Sequence, residues 1–397
     1  MKDIKNLFIK KETEEFDKEY EIKLRNHKIK KFGRMGIALI VVLVLIIGIK
    51  IYYNGKEYTS YSVTDNILSG DTTKCQFYEF GDSFLRYSND GLAYIKDGES
   101  VWNQAFEMKQ PVIDTCENYV AITEKGSNAV YIYNKEGSQG KITTSYPIVD
   151  IEVAAQGVVA AITEENEANH IEVIDKDGNI LVMGQTVLSG DGCPLDISLS
   201  NDGTKLIVSY LYMNGGVTQT KVVFYNYSEV GKNEVDRIVG GFNQYKTTIV
   251  PKVEFVTNDI AVAFGDNMFT IYSIKQKPSI LMEEEFDKEI KSILYNDEYI
   301  GFVFESQELD GTSAIWIYDL SGDRIYEGEL SMKYKNIKLD GDNILIYDEN
   351  NLIVQTVTGK LKFEGEFENG INEVIGLNGK NKYILVSSES IDEIKLK

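Results

Sequence analysis

Apolar and polar positions alternate in short runs along most of the chain, and one kind of run keeps returning. It has the form apolar-x-apolar-(Tyr/Ile)-polar, and most copies end in a glycine turn: VYIYNKEG (130–137), IEVIDKDG (171–178), VVFYNYSEVG (222–231), FTIYSIKQ (269–276), IWIYDLSG (315–322) and LIVQTVTG (352–359). Period-two alternation in β-branched and aromatic residues predicts strands. An apolar run precedes each copy, as in YVAITE (119–124), VVAAIT (158–163), LIVSYL (206–211), IAVAFG (260–265), YIGFVF (299–304) and NILIYD (343–348). Another strand stands before that one in PVIDT, PIVDI, PLDIS and PKVEF, and a fourth follows the turn in KITTS, NILVMG, DRIVGG, RIYEGE and KLKFEG. Counted from Gly98, the turn glycines fall at 137, 178, 231, 322 and 359, in steps of 39, 41, 53, 91 and 37; the 91 splits into two of about 45 if the turn near Lys277 lacks its glycine. Four strands every forty residues or so is the spacing of a propeller blade.

The pattern predicts an all-β propeller with blades near 74–106, 111–144, 148–185, 194–240, 251–283, 289–330 and 334–365, and a three-strand unit at 371–396. Four of the five prolines (Pro111, Pro147, Pro194, Pro251) stand at the entry to a first strand, where no ladder hydrogen bond is lost. The last unit lacks an outer strand, and EYTSYSV (57–63) is the candidate to supply it and close the ring. Closure would remove an unpaired edge. The count is eight blades, or seven if the first or last unit is incomplete.

Two Asp-Gly stretches invite a chemical reading. DISLSNDGTKLIVSY (196–210) holds two strand-like arms around Asn201-Asp202-Gly203, and the same SNDG recurs at 88–91, which predicts an architectural corner. DKDGN (175–179) has the start of a calcium loop without its remaining ligands or terminal Glu, and is expected to be a turn.

Charge divides the chain. The formal net charge is −21, but residues 1–34 carry eleven Lys/Arg against seven Asp/Glu, and everything after residue 51 carries −26. An acidic surface argues against nucleic-acid binding, which needs cationic contacts with phosphate. Between the parts lies MGIALIVVLVLIIGI (35–49), then Lys50 and Ile51-Tyr52-Tyr53. A snorkelling lysine and an interfacial tyrosine pair extend the apolar run to the length a bilayer needs, and the basic cluster Lys23–Arg34 predicts a cytoplasmic N-terminus. No small-x-small cleavage site follows, so 35–53 is expected to be an uncleaved transmembrane signal anchor, with 1–34 a basic cytoplasmic leader and 54–397 an extracytoplasmic propeller in the cell membrane. Cys75, Cys116 and Cys193 are far apart without a CxxC, and are expected to be small buried hydrophobes.

DGLAYIKDGESVWNQAF (90–106), with Asp97-Gly98 four residues before Trp102, resembles one repeat of the quinoprotein-like propellers, and ISLSNDGTKLIVS resembles the turn of TolB-like propellers. The order of short basic leader, single span and propeller, clearest in YPIVDIEVAAQGVVAAITEENEANHIEVIDKDGNILV (146–182), is similar to an uncharacterised family of Firmicutes proteins, a domain of unknown function with a WD40- or quinoprotein-like extracytoplasmic propeller. That resemblance implies the fold and no activity. The tryptophan pattern of quinoproteins is missing from the other blades, where Trp316 is the only other Trp, so no cofactor is expected.

Catalytic signals are sparse. His27 lies in the leader, leaving His170 alone beyond it, at a strand start where a surface position is expected. There is no Gly-x-Ser-x-Gly elbow, no zinc spacing and no Walker loop. One subset of the 62 acids is less random: Asp114, Asp150, Asp196, Glu254 and Glu373 take similar places on successive first strands. Such strands line a propeller's axial channel, so these five form a candidate acidic ring for a cation or cationic ligand, with mutually raised pKa values; otherwise they face channel water. No metal site is expected. The leading expectation is a non-catalytic binding or scaffold module of the cell envelope, engaging an envelope protein, a peptide or a polysaccharide. The alternatives are a carboxylate-dependent glycan hydrolase or lyase, and a transmembrane sensor.

Overall fold

The computed structural model describes residues 55–69, 72–166, 168–187, 192–305, 313–377 and 381–397, together with Leu39–Val42, Val44, Leu45 and Gly48. Glu57–Lys397 form one compact unit of eight four-stranded antiparallel sheets. Seven are simple meanders spanning 76–105, 111–143, 148–187, 193–242, 252–285, 290–330 and 336–366, close to the boundaries that the repeat predicts. The eighth takes three strands from the C-terminus (Glu373–Gly376, Lys382–Val386, Ser390–Leu396) and its outer strand, Tyr61–Ser69, from the N-terminal end of the propeller. Eight blades, not seven, make the ring.

The hydrophobic pattern explains why each sheet stands between two others. Second and third strands are buried on both faces, as in Val159–Glu165 and Ala168–Ile174, whereas outer strands such as Arg324–Leu330 alternate. The apolar core is correspondingly cut into eight clusters, each shared by two adjacent blades. One of them joins Phe84, Ala93 and Ile95 of the first blade to Ile375, Ile384, Val386 and Ile391 of the eighth, and this contact shuts the ring. In the first seven blades the pairing of third and fourth strands slips by one residue at the same place, at Tyr94/Ile95, Ile132/Tyr133, Val173/Ile174, Phe224/Tyr225, Ile271/Tyr272, Ile317/Tyr318 and Val354/Gln355. The recurring (Tyr/Ile)-polar end of the sequence repeat is therefore a bulge site, where an extra residue bends and twists the outer edge.

The closing strand lies further along than 57–63. Tyr61 to Ser69 pair with Leu396 to Ser390, with irregularities between Val63 and Asp65 and between Asn66 and Leu68. The polar run Thr64-Asp65-Asn66 interrupts the apolar alternation that would have marked this strand. Its side chains instead bond across the ladder, Thr64 Oγ1 to Glu393 Oε1 at 2.9 Å and Asn66 Nδ2 to Asp392 Oδ1 at 2.6 Å. The residues before it tie to the seventh blade: Tyr58 is buried and makes a single parallel bridge to Phe363. Tyr61 stacks on Phe367 with centroids 4.5 Å apart.

Asn201-Asp202-Gly203 is a corner. Gly203 adopts φ +66°, and the Asp202 carboxylate accepts from Ser200 Oγ at 2.7 Å and from the Thr204 N–H at 3.0 Å. The corner also locks three blades together, because Gln156 Nε2 donates to the Asp202 carbonyl and the Asp202 N–H donates to Asn258 Oδ1. The matching SNDG at 88–91 joins a second to a third strand, whereas 200–204 joins a first to a second, so identical tetrapeptides serve opposite ends of their blades. In DKDGN, Asp175 accepts the N–H groups of Asp177 and Asn179, which makes it a turn that satisfies its own carboxylate.

The predicted leader 1–34 and most of the predicted span 35–53 lie outside the described residues. Among the described residues no helix is long and apolar enough to cross a membrane.

Candidate functional site

First strands of neighbouring blades pack against one another around the axis, and their polar side chains meet there. Asp114, in the second blade, accepts the Val153 N–H of the third at 2.6 Å. Asp196, in the fourth, accepts the Val253 N–H of the fifth at 2.7 Å, and Ser198 Oγ accepts the Phe255 N–H at 2.9 Å. Two of the five predicted carboxylates are thus staples between blades. Asp150 accepts the N–H of its own neighbour Ile151. Lys252 stands between Asp196 at 3.5 Å and Glu254 at 3.1 Å.

Burial sets the electrostatics of this group. It pushes Asp114 and Asp196 up to about 7, with Glu254 adding to both and Lys252 opposing. Burial also raises Asp150. Glu152 is raised well above the ordinary carboxylate range by burial, then by Asp114 and Glu254. Burial alone would pull Lys252 down, but Glu254, Glu152 and Asp196 outweigh it and hold the ammonium charged.

Glu152 is the member that sequence reasoning missed; its signal is its place two residues after Asp150, on the same face of the same strand. Glu373 does not interact with this group. It pairs with Lys338 and accepts from Tyr347 Oη at 2.7 Å. The predicted ring is therefore two lysine-centred clusters, and in each the cation facing the carboxylates is the protein's own. Among the described residues no group of three or more His, Cys, Asp or Glu is placed to hold a metal ion.

His170 is buried rather than on the surface, because its strand Ala168–Ile174 is sandwiched between blades. Its ring stacks on Tyr146 with centroids 4.3 Å apart, and Glu165 lies 3.5 Å from Nε2, outside hydrogen-bonding geometry. The three cysteines are free and half-buried rather than fully buried; Cys116 packs on the apolar cluster between the second and third blades, and burial pushes its thiol up to about 12, which makes it a poor nucleophile. Trp102 links the first two blades, its indole N–H donating to the Asn134 carbonyl at 2.9 Å and its ring stacking on Tyr133.

The rim offers a second feature that sequence reasoning did not find. Between the third and fourth blades the outer strands part to leave a groove of about 320 Å³. Met183 forms one wall, Tyr225 and Tyr227 the other, and Lys221 and Arg237 reach its margin. Val235–Arg237 form a single 3₁₀ turn in which Asp236 and Arg237 adopt φ 52° and 63°. Such conformations are unfavourable for residues with a Cβ and gather at functional sites. The only sequence trace is a long connection between the third and fourth strands of that blade.

Chaetomium thermophilum Sqt1, solved bound to the N-terminus of the ribosomal protein L10, is similar with TM-score 0.53 over 84% of this chain and 100% of that one, at 9% identity. KlAtg21, solved in complex with the coiled-coil of AgAtg16, is similar with TM-score 0.50 over 76% of this chain and 100% of that one, at 12% identity. At these identities the likeness is one of fold, that of the WD40-like β-propellers. No curated protein matches the chain. Residues 54–396, the whole propeller, match the family of unknown function DUF5711, and the chain belongs to it.

Proposed function

We propose that this protein is a non-catalytic binding module, held at the outer face of the cell membrane by residues 35–53 with its basic leader inside. The observation that carries the binding role is the apolar rim of the third and fourth blades. Ile180, Leu181 and Met183 are about half exposed and Val235 is 81% exposed, side by side with a groove. Contiguous exposed apolar surface on a folded domain marks an interaction site. The solved propellers of similar fold that hold a ribosomal-protein terminus and a coiled-coil support a protein ligand. Catalysis is disfavoured because Asp114 and Asp196, the acids that burial brings near neutral, already accept backbone N–H groups.

Two readouts on intact cells test this. A membrane-impermeant amine reagent should label the propeller before lysis and the leader only after it. Photo-cross-linking groups at Leu181 or Val235 should capture an envelope component. Labelling of the propeller only after lysis, or no captured component from either position, contradicts the proposal.

A further inference from the structure

In each of the first seven blades the slip between third and fourth strands leaves one residue of the outer strand over. That residue is Val101, Leu181, Val239, Leu281 or Ile325 in five of them and Gln139 in another. In the seventh blade it is Lys362, skipped between the pairs Val354↔Phe363 and Gln355↔Leu361. A bulge takes its extra residue out of the strand's alternation. Lys362 is accordingly buried beside buried Phe363, only 4% exposed. A buried ammonium is costly, so a lysine where five other blades carry an apolar residue points to a use for its nitrogen.

That nitrogen donates to Asn343 Oδ1 at 3.0 Å. Asn343 opens the second strand of the same blade and is opposite Thr356 of the third, so Lys362 reaches it across a whole strand. On its other side Asn343 is directly opposite Asp340 in the ladder. The Asp340 carboxylate lies against Gly376 of the eighth blade, where any side chain would collide with it. Burial raises Asp340 above the ordinary carboxylate range, with Lys338 and Lys362 opposing. Lys338 is itself paired with Glu373. An amine, a carboxamide and a carboxyl group thus meet where the seventh blade faces the eighth.

We propose that Lys362 and Asn343 cross-link themselves: Lys362 Nζ attacks Asn343 Cγ, ammonia leaves, and an amide joins the two side chains. With a carbonyl bond of about 1.2 Å beyond Oδ1, Nζ lies within about 4.2 Å of Cγ, a small shift from attack distance. Asp340 takes a proton from the ammonium, which frees the nitrogen lone pair, and as a neutral acid donates to Oδ1 during the attack. The bond from Nζ to Cγ forms and the bond from Cγ to Nδ2 breaks. The leaving nitrogen takes one proton from the attacking nitrogen and one from Asp340, and departs as ammonium. Nothing is oxidised or reduced, and no other reactant is consumed. The product ties the outer strand of the seventh blade to its second strand. It does so where the chain enters the propeller, because the Lys362 carbonyl accepts the Tyr58 N–H at 2.7 Å.

The test is the mass of the full-length chain, purified folded in mild detergent and then denatured. It is expected to be lighter than the sequence by one ammonia, and a tryptic digest should contain the Asn343 and Lys362 peptides joined. Lys362→Met should restore the full mass. Asp340→Asn should also restore it while still melting cooperatively, which separates the chemistry from folding. Full mass in the folded wild-type chain, with Asn343 and Lys362 in separate peptides, would overturn the proposal. So would a deficit that survives Lys362→Met, or one that mild base reverses, since that marks a succinimide at an Asn-Gly pair such as Asn214-Gly215. Joined peptides in Asp340→Asn would overturn the part given to Asp340.

Discussion

A chain that begins at Thr72 is expected to melt roughly 10 °C lower than one that begins at Gly55, and to self-associate. The truncation removes Tyr61–Ser69, the outer strand of the eighth blade, and with it the pairing from Tyr61↔Leu396 to Ser69↔Ser390. It also removes Tyr58, buried against Phe363 and Phe367, and the half-buried Ile67 and Leu68 that pack on the cluster between the eighth and first blades. Burial of three large apolar side chains is worth on the order of 5 kcal/mol. The strand Ser390–Leu396 is left with an open edge, which is a template for another chain. A synthetic peptide covering 55–69 added to the truncated protein should restore most of the melting temperature and suppress association. Equal melting of the two chains would mean that the ring does not depend on this strand.

The second large effect is electrostatic and changes with pH. Asp114 and Asp196 have folded-state values of about 7 against an ordinary 3.8. Between those values the folded protein holds protons that the unfolded chain has released, so these two groups make stability fall as pH rises from about 4 to about 7 and then level off. Asp114→Asn keeps an oxygen to accept the Val153 N–H and removes the burden of ionisation. It should raise stability by ~1–2 kcal/mol at pH 8 and by almost nothing at pH 5. Asp114→Ala strands that N–H and should cost ~1–3 kcal/mol at either pH. Lys252→Met goes the other way, leaving Glu152, Asp196 and Glu254 facing one another with a lost counter-ion, and should cost ~3–5 kcal/mol at pH 8. Most of that loss should return at pH 5, where Asp196 and Glu152 are protonated. Urea unfolding at both pH values checks all three variants. A Lys252→Met penalty that does not shrink with acid would show that the lysine acts by packing and not by charge.

How far the sequence reveals this molecule differs from element to element. The blades are legible because second and third strands must be apolar on both faces, and that demand is written every forty residues with few exceptions. Closure was harder to place. Thr64, Asp65 and Asn66 satisfy themselves across the ladder with Glu393 and Asp392, so their strand does not look like one. In the channel, strand position alone found Asp114, Asp150, Asp196 and Glu254, but not that Lys252 joins them or that Glu373 faces Lys338 instead. Which side chain meets which depends on how blades are rotated about the axis, and no local pattern carries that. The burial of His170 has the same origin, since a polar residue on a strand gives no sign that another blade lies over it. The groove was invisible for a simpler reason: it is a gap between residues of two different blades, which takes shape only once those blades are known to be neighbours.

The arrangement rests on Tyr61–Ser69 lying antiparallel along the C-terminal strand, and one cross-link tests it directly. Ser62 and Lys395 face each other in the register, a separation that a disulfide can span. In a chain whose Cys75, Cys116 and Cys193 are replaced by serine, Ser62→Cys with Lys395→Cys should yield on mild oxidation a monomer whose two tryptic peptides are joined. Free thiols after oxidation, or disulfides found only between separate chains, would contradict the closed eight-bladed ring.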